Sequence, residues 1–169
     1  MPLASGAVLL AYVTSQRVIE LVVANRNTRA LVARGAYEEG AAHYLVMVAL
    51  HATWLATAWA YGWSRALRPE FVVFFVVLQV GRWWVLRTLG ERWTTRIIMA
   101  PWAPPVTSGP FRFVRHPNYL VVALELPCVS LALGLAWHAF VFGALNLAML
   151  GWRIRCENAA FARLGTPRL

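Results

Sequence analysis

Five stretches of this 169-residue chain are long and apolar enough, or nearly so, to cross a lipid bilayer. A membrane-spanning helix needs about 20 mostly apolar residues. The run from 71 to 80 is almost entirely hydrophobic, which does not suit a helix on the surface of a soluble bundle. The predicted spans are approximately residues 2–24, 43–63, 71–89, 119–135 and 137–152. We therefore predict an all-α integral membrane protein with about five transmembrane helices in a single domain, residues 1–169.

The last two stretches are almost contiguous, which predicts a tight helical hairpin near Ala136, with Pro127 kinking its first arm. The nine tryptophans often lie near the ends of the stretches, as expected for side chains at the membrane interface. The first stretch lacks a basic leader and contains Arg17 and Glu20, so we interpret it as a span and not as a signal peptide.

Composition excludes several classes of site. Only 14% of residues are charged and 60% are hydrophobic, which excludes a disordered chain. All 16 basic residues are arginine and all seven acidic residues are glutamate, so a P-loop lysine, an EF-hand and an aspartate-based metal cluster are excluded. Two cysteines, Cys128 and Cys156, are too few for a disulfide framework or a zinc site, and we predict no metal.

The arginines are distributed unevenly between the two ends of the predicted spans. Eleven lie in segments 25–42 and 90–116 and after the fifth span, whereas the opposite end has only Arg65 and Arg68. The positive-inside rule then predicts an outside N-terminus and a cytoplasmic C-terminus. The net charge of +9 follows largely from this topology, so we expect a lipid bilayer and no nucleic acid as the partner.

Polar residues within spans are costly and indicate function by default. In the first span Gln16, Arg17 and Glu20 share one helix face, as a self-neutralising pair or as part of a site. In the second span His43 and His51 lie on one stripe but are about 12 Å apart along the axis, too far to bind one metal ion unaided. Either histidine can be a general base or a hydrogen-bonded structural residue.

The third and fourth spans also carry polar residues. The Arg82 guanidinium must face protein, water or a headgroup, and Trp83 follows it directly. Arg87 can extend to the interface, so a structural role is favoured for it. Glu125 either lines a cavity for a ligand or bonds to a neighbouring helix.

A connector precedes the fourth span. Residues 101–119 contain five of the nine prolines, so this segment cannot be a helix. Pro117 fits the first turn of the following helix, whose free N–H groups are suited to a carboxylate or phosphate. At the end of the fifth span Arg153 and Glu157 share a face, either as a surface ion pair or as a cluster that the hairpin brings back to residues 115–119.

The string Gly109-Pro-Phe-Arg-Phe-Val-Arg-His-Pro-Asn-Tyr119, a helical hairpin and Arg153-Ile-Arg-Cys-Glu157 together resemble the isoprenylcysteine carboxyl methyltransferase superfamily of integral membrane methyltransferases. The N-terminal half is similar to a bacterial branch that O-methylates alkylresorcinols or alkylpyrones and often accompanies type III polyketide synthases. The pieces that carry this likeness include Arg17-Val-Ile-Glu20, Asn25-Arg-Asn27 and Thr88-Leu-Gly-Glu-Arg-Trp-Thr94.

The resemblance implies S-adenosylmethionine as methyl donor, bound on the cytoplasmic side by residues of the segment 92–169, and a lipophilic phenol or enol as acceptor. It also implies that the protein lies in a bacterial inner membrane. The expected cofactor contacts are Val114, Arg115, His116, Asn118, Tyr119, Leu120, Arg153 and Glu157, with Val114 and Leu120 acting through the backbone. The expected catalytic residues are Glu157, Arg153, His51 and His43. The expected acceptor contacts are Arg17, Glu20, His43, His51 and Trp83.

Two departures from the superfamily pattern affect the cofactor pocket: Asn158 replaces a usual second acid, and the tail ending at Leu169 is shorter than usual. The resemblance and the residues leave open an isoprenylcysteine-type carboxyl methyltransferase, an NADPH-dependent reductase similar to sterol reductases, and a non-catalytic membrane binding protein. A Rossmann site of the GxGxxG type is excluded, because no two glycines are two residues apart.

Methyl transfer by in-line displacement requires alignment of the reacting atoms at about 3–3.5 Å. A carboxylate acceptor needs no base, whereas a phenol, with a pKa of about 10, benefits from one.

Overall fold

The computed structural model describes residues 5–164 and folds them into five helices. The start of the first predicted span at Pro2, and Arg168 of the charge balance, lie outside the described residues. The helices are α1 (Ser5–Ala33), α2 (Ala41–Gly62), α3 (Pro69–Leu89), α4 (Pro117–Ala132) and α5 (Ala136–Arg163). The prediction of an all-α membrane protein is confirmed.

Three of the helices, α1, α2 and α3, are long and apolar enough to cross a membrane. Helix α4 is apolar but has only 16 residues, and α5 has 28 residues with its charged side chains in the C-terminal half. The expectation that the first helix ends near Ala24 is wrong, because α1 continues to Ala33. It stops at Gly35, whose φ of 91° is incompatible with a further helical turn.

The predicted hairpin of α4 and α5 is present. Residues 133–135 connect the two helices, and Gly134 adopts a φ of 70°, a left-handed conformation that favours glycine. Pro127 lies inside α4, which continues past it to Ala132. Helix α3 packs on α4 as well, and the Arg68 N–H donates to the Ala132 carbonyl oxygen at 2.9 Å.

The core of the bundle is centred on this hairpin and includes the fully buried side chains of Leu10, Trp54, Leu126 and Leu133. At the end of the bundle that contains the α4–α5 turn, the Gly6 N–H donates to the Arg65 carbonyl oxygen at 3.0 Å. This hydrogen bond joins the start of α1 to the loop between α2 and α3.

The other end of the bundle has a small antiparallel sheet that the sequence analysis did not predict. Strand β1 (Tyr37–Glu39) pairs with strand β2 (Ile97–Met99), with Glu38 opposite Ile98. Arg96 reinforces the pairing through two hydrogen bonds of 2.8 Å to the Glu38 carboxylate. The sheet joins the segment after α1 to the segment between α3 and α4, so these two arginine-rich segments meet at one end of the bundle. Which side of a membrane this end faces stays a prediction.

Candidate active site: a polar cleft and an apolar cavity

The connector follows an irregular path over this end of the bundle, as its prolines predict. The connector, which the structure extends to all of residues 90–116, contains β2 and two 3₁₀ turns, Gly90–Arg92 and Gly109–Arg112, and the second begins at Gly109 with a φ of 58°. Pro117 is the first residue of α4, where its missing N–H leaves no helical bond unmade. His116 therefore lies just before the first turn of α4, and Asn118 and Tyr119 lie within that turn.

The hairpin brings the first turn of α4 against the end of α5. The Tyr119 hydroxyl donates to Glu157 Oε2 at 2.8 Å, and His116 Nδ1 lies 3.7 Å from the same oxygen. The His116 ring stacks on Tyr119 with centroids 5.3 Å apart and planes 18° apart. The two polar clusters that the sequence analysis singled out are therefore in direct contact.

Arg153 is buried one turn before Glu157 and is held by neighbours from other elements. Its Nη2 donates to the Thr95 carbonyl oxygen at 2.9 Å, and its Nη1 lies 3.4 Å from His43 Nε2. Its guanidinium also lies 5.7 Å from the centroid of the Tyr119 ring. These contacts fix the cation between the connector and the helices.

A polar cleft opens between the connector and the end of α5. Asn118, Tyr119, Arg153 and Glu157 line it, together with Trp93 from the connector. The Asn118 Oδ1 acceptor and the Trp93 Nε1 donor are buried and have no hydrogen-bond partner within residues 5–164. The cleft therefore offers an acceptor, a donor, a carboxylate and an aromatic ring to a polar ligand.

The structure does not place three of the expected cofactor contacts on this cleft. The side chains of Val114, Arg115 and Leu120 are exposed. The Val114 N–H already donates to the Pro110 carbonyl oxygen at 3.2 Å, and the Leu120 N–H to that of His116 at 3.1 Å. The local 3₁₀ and helical turns thus use the backbone donors that a cofactor would need.

A second, largely apolar cavity of about 290 Å³ lies between the helices. His51 lines it, and His51 Nδ1 lies 2.8 Å from the Met47 carbonyl oxygen. Because a carbonyl only accepts, Nδ1 carries the proton and Nε2 keeps the lone pair in the neutral ring. Five residues line both the cavity and the cleft, so the two spaces adjoin: Trp93, Thr94, Asn118, Tyr119 and Arg153.

A buried ion network borders the apolar cavity. Arg82 makes two hydrogen bonds to the Glu20 carboxylate and one of 2.5 Å to Glu125. Arg17 bonds Glu125 at 2.5 Å and Glu20 at 3.0 Å, and the Gln79 amide adds a bond of 3.0 Å to Glu125. The predicted Arg17–Glu20 pair is thus part of a network with two cations and two anions, which is electrically neutral.

Two expected acceptor contacts lie elsewhere. Trp83 is 59% exposed on α3 and packs against Arg87, whose guanidinium lies 4.8 Å from its ring centroid. The expectation for Trp83 is therefore not supported, because its ring faces away from the bundle. His43 is buried behind Arg153 and lines neither cavity, so it contacts Arg153 and not the space for a ligand.

Asn146 and Trp93 are cavity residues that the sequence analysis missed. Asn146 had a signal, since it is a lone amide in the middle of the fifth apolar stretch. Trp93 lies in the string Thr88–Thr94 that carries the bacterial likeness, but no pattern in the sequence assigned it to the site, because only the fold of the connector brings it to the cavity.

Together the fold and the site define a membrane-embedded helical protein in which a polar cleft at the helix ends adjoins an apolar cavity between the helices. Residues 71–163 match the model of the isoprenylcysteine carboxyl methyltransferase (ICMT) family. The chain belongs to this family, whose members are methyltransferases, and it is a membrane methyltransferase that acts on a lipophilic substrate.

Two bacterial proteins are similar to this chain over nearly their whole length. The uncharacterized protein YpbQ of Bacillus subtilis is 31% identical over 161 residues, which are 90% of this chain and 94% of YpbQ. An uncharacterized protein of Haemophilus influenzae is 25% identical over 166 residues, which are 93% of this chain and 95% of that protein. No solved structure matches the chain.

Proposed function

We propose that the protein transfers the methyl group of S-adenosylmethionine to the hydroxyl oxygen of a lipophilic phenol or enol, such as an alkylresorcinol or alkylpyrone. The observation that carries the proposal is the common wall of the cleft and the cavity, formed by Asn118, Tyr119 and Arg153 with the connector. The enzyme would work in a bacterial inner membrane with the cleft on the cytoplasmic side, after a type III polyketide synthase.

The residues of the cleft fit the methyl donor chemically. S-adenosylmethionine carries a cationic sulfonium, an ammonium, ribose hydroxyls and an adenine ring. The Glu157 carboxylate suits the cationic or hydroxyl groups, and Asn118 Oδ1 and Trp93 Nε1 are a buried acceptor and a buried donor with no hydrogen-bond partner in the described part of the chain.

The apolar cavity suits the tail of the acceptor and has a route from the bilayer. Val18 and Leu21 of α1 and Val48 of α2 line the cavity, and these side chains are 55%, 41% and 40% exposed. The mouth therefore faces lipid between the first two helices. An acceptor dissolved in the bilayer reaches the site sideways without crossing water.

When bound, S-adenosylmethionine would supply a methyl group to the acceptor oxygen, and the electron pair of the broken C–S bond would go to sulfur. His51 takes the acceptor hydroxyl proton on Nε2, because Nδ1 is held by the Met47 carbonyl. Arg153 stabilises the developing phenolate charge from the common wall, and His43 positions Arg153 from behind.

Methyl transfer by the purified protein in lipid nanodiscs tests this proposal. The acceptors to compare are an alkylresorcinol, a prenylcysteine and phosphatidylethanolamine, each with isotopically labelled S-adenosylmethionine. We expect label in the alkylresorcinol. Label only in the prenylcysteine or the phospholipid would refute the acceptor class.

Calorimetry tests the donor separately. We expect S-adenosylhomocysteine to bind and NADPH not to bind. Binding of NADPH alone would indicate a reductase and would refute the proposal.

A further inference from the structure

Asn146 lines the apolar cavity and carries a buried amide group. The residue lies on α5, is 0% exposed and lines the cavity. Its Nδ2 donates to the Val122 carbonyl oxygen at 3.1 Å, and since a carbonyl only accepts, this bond fixes the orientation of the amide. Oδ1 is then the remaining polar atom, and it has no hydrogen-bond partner among residues 5–164.

An acceptor in such a place favours a ligand that donates a hydrogen bond. Inside a membrane protein a buried carbonyl oxygen without a donor is unfavourable, so a ligand hydroxyl that donates to it gains affinity. A ligand carboxylate has no hydrogen to donate and would place a second acceptor against Oδ1. The amide thus distinguishes hydroxyl from carboxylate ligands by the sign of the interaction.

His51 adds a second acceptor on the same cavity. With its Nδ1 proton bound to the Met47 carbonyl oxygen, the ring offers the Nε2 lone pair. A cavity with two uncharged acceptors, Asn146 Oδ1 and His51 Nε2, complements a ligand with two donors.

We propose that Asn146 selects acceptors with two hydroxyl groups, by accepting a hydrogen bond from the hydroxyl that is not methylated. The inference rests on the proposed function and narrows its acceptor to a dihydroxy ring or hydroxy-enol with an apolar tail. Sites that hydrogen-bond a ligand hydroxyl reject analogues that lack it far more strongly than apolar pockets reject a change of size. Asn146 is therefore a specificity residue, and His51 supplies the base.

Ligand binding to the protein in nanodiscs tests the inference without requiring turnover. The probes are a long-chain alkylresorcinol and the matching alkylphenol, which has the same tail and one hydroxyl fewer. The wild-type protein should bind the alkylresorcinol about 10-fold more tightly. Asn146→Leu, which keeps the size of the side chain, should lose most of that preference while its affinity for the alkylphenol changes by about 2-fold or less.

Met149→Leu is the matched control, because Met149 lines the same cavity one helical turn away and offers no strong acceptor. It should keep the wild-type preference. Should Asn146→Leu fail to fold, Asn146→Ala provides the same deletion of the acceptor with less volume.

The outcomes separate this inference from the proposed function. A preference that Asn146→Leu or Asn146→Ala removes supports the inference, even if the wild-type protein transfers no methyl group and the proposed function fails. Three results overturn the inference, even where methyl transfer to the alkylresorcinol is observed. They are equal affinity of the wild-type protein for both probes, no binding of either probe to the wild-type protein, and an unchanged preference in the variants.

Discussion

Replacement of Glu125 by leucine tests whether the buried ion network stabilises the fold. The Glu125 side chain is 0% exposed and accepts hydrogen bonds from Arg17, Arg82 and Gln79. Its removal leaves two arginines with only the Glu20 carboxylate between them, so one positive charge inside the bundle is uncompensated. Breaking a buried pair in this way costs about 3–5 kcal/mol. We expect Glu125→Leu to lower the free energy of unfolding by about 4 kcal/mol.

Denaturant titration in mixed micelles, followed by tryptophan fluorescence, measures this change. Glu91→Gln is the matched control, because Glu91 is exposed and its loss should change the free energy of unfolding by about 0.5 kcal/mol or less.

The double variant with Arg17→Leu and Glu125→Leu tests whether the uncompensated positive charge causes the loss of stability. It removes one cation and one anion and leaves Arg82 bound to Glu20 through two hydrogen bonds, so the network remains neutral. We expect it to be more stable than Glu125→Leu alone by about 1–3 kcal/mol, because the second substitution removes the positive charge that the first leaves uncompensated. A double variant less stable than the single, or a Glu125→Leu protein as stable as the Glu91→Gln control, would refute the argument.

Four further predictions concern the site, the packing and the topology. Glu157→Gln should keep the melting temperature but reduce kcat/KM for methyl transfer by about 10-fold or more, since a charged acceptor is lost; wild-type turnover would remove Glu157 from the mechanism. Gly6→Ala should destabilise the protein by about 1–3 kcal/mol, because the new Cβ meets the Gly62 carbonyl oxygen and lies 2.9 Å from that of Arg65. Gly151→Ala, with nothing within 4 Å of the new Cβ, should instead raise stability by about 0.5–1 kcal/mol in the same unfolding titration. A C-terminal reporter should be active only in the cytoplasm, and activity only outside the cell would reverse the predicted orientation.

The sequence was most informative where structure depends on neighbours along the chain. Apolar length located α2 and α3, and the short gap at Ala136 located the α4–α5 turn. Pro117 marked the start of α4 because proline is tolerated in the first helical turn. These features are local, so one sequence contains them.

Hydropathy was a poor guide to where α1 ends. It reports the thickness of the bilayer, whereas the helix itself continues through the polar residues after Ala24 until Gly35. The arginines there were placed in a loop because the apolar stretch ends before them, although arginine is a good helix former. A helix α1 that spans the membrane up to about Ala24 and protrudes from it as far as Ala33 agrees with both the hydropathy and the length of the helix.

The strand pair and the full ion network could not be predicted, because both depend on residues distant in sequence. Glu38 meets Ile98 only after the helices have packed. From the sequence Arg17 and Glu20 were a pair three residues apart, whereas Arg82 and Glu125 join them from α3 and α4. The spacing of residues along one helix predicts the contact between Arg17 and Glu20, but it cannot predict contacts with Arg82 and Glu125 on other helices.

The different environments of the buried arginines explain how the site can be both stable and reactive. Glu20 and Glu125 neutralise Arg17 and Arg82, so these cations hold helices together without leaving net charge beside an apolar ligand. Arg153 instead donates to the Thr95 carbonyl oxygen, a neutral group, which leaves more of its positive charge for a ligand at the common wall. Under the proposed function, a phenolate that develops between the cleft and the cavity would meet this charge in surroundings of low dielectric constant, where the attraction is strongest.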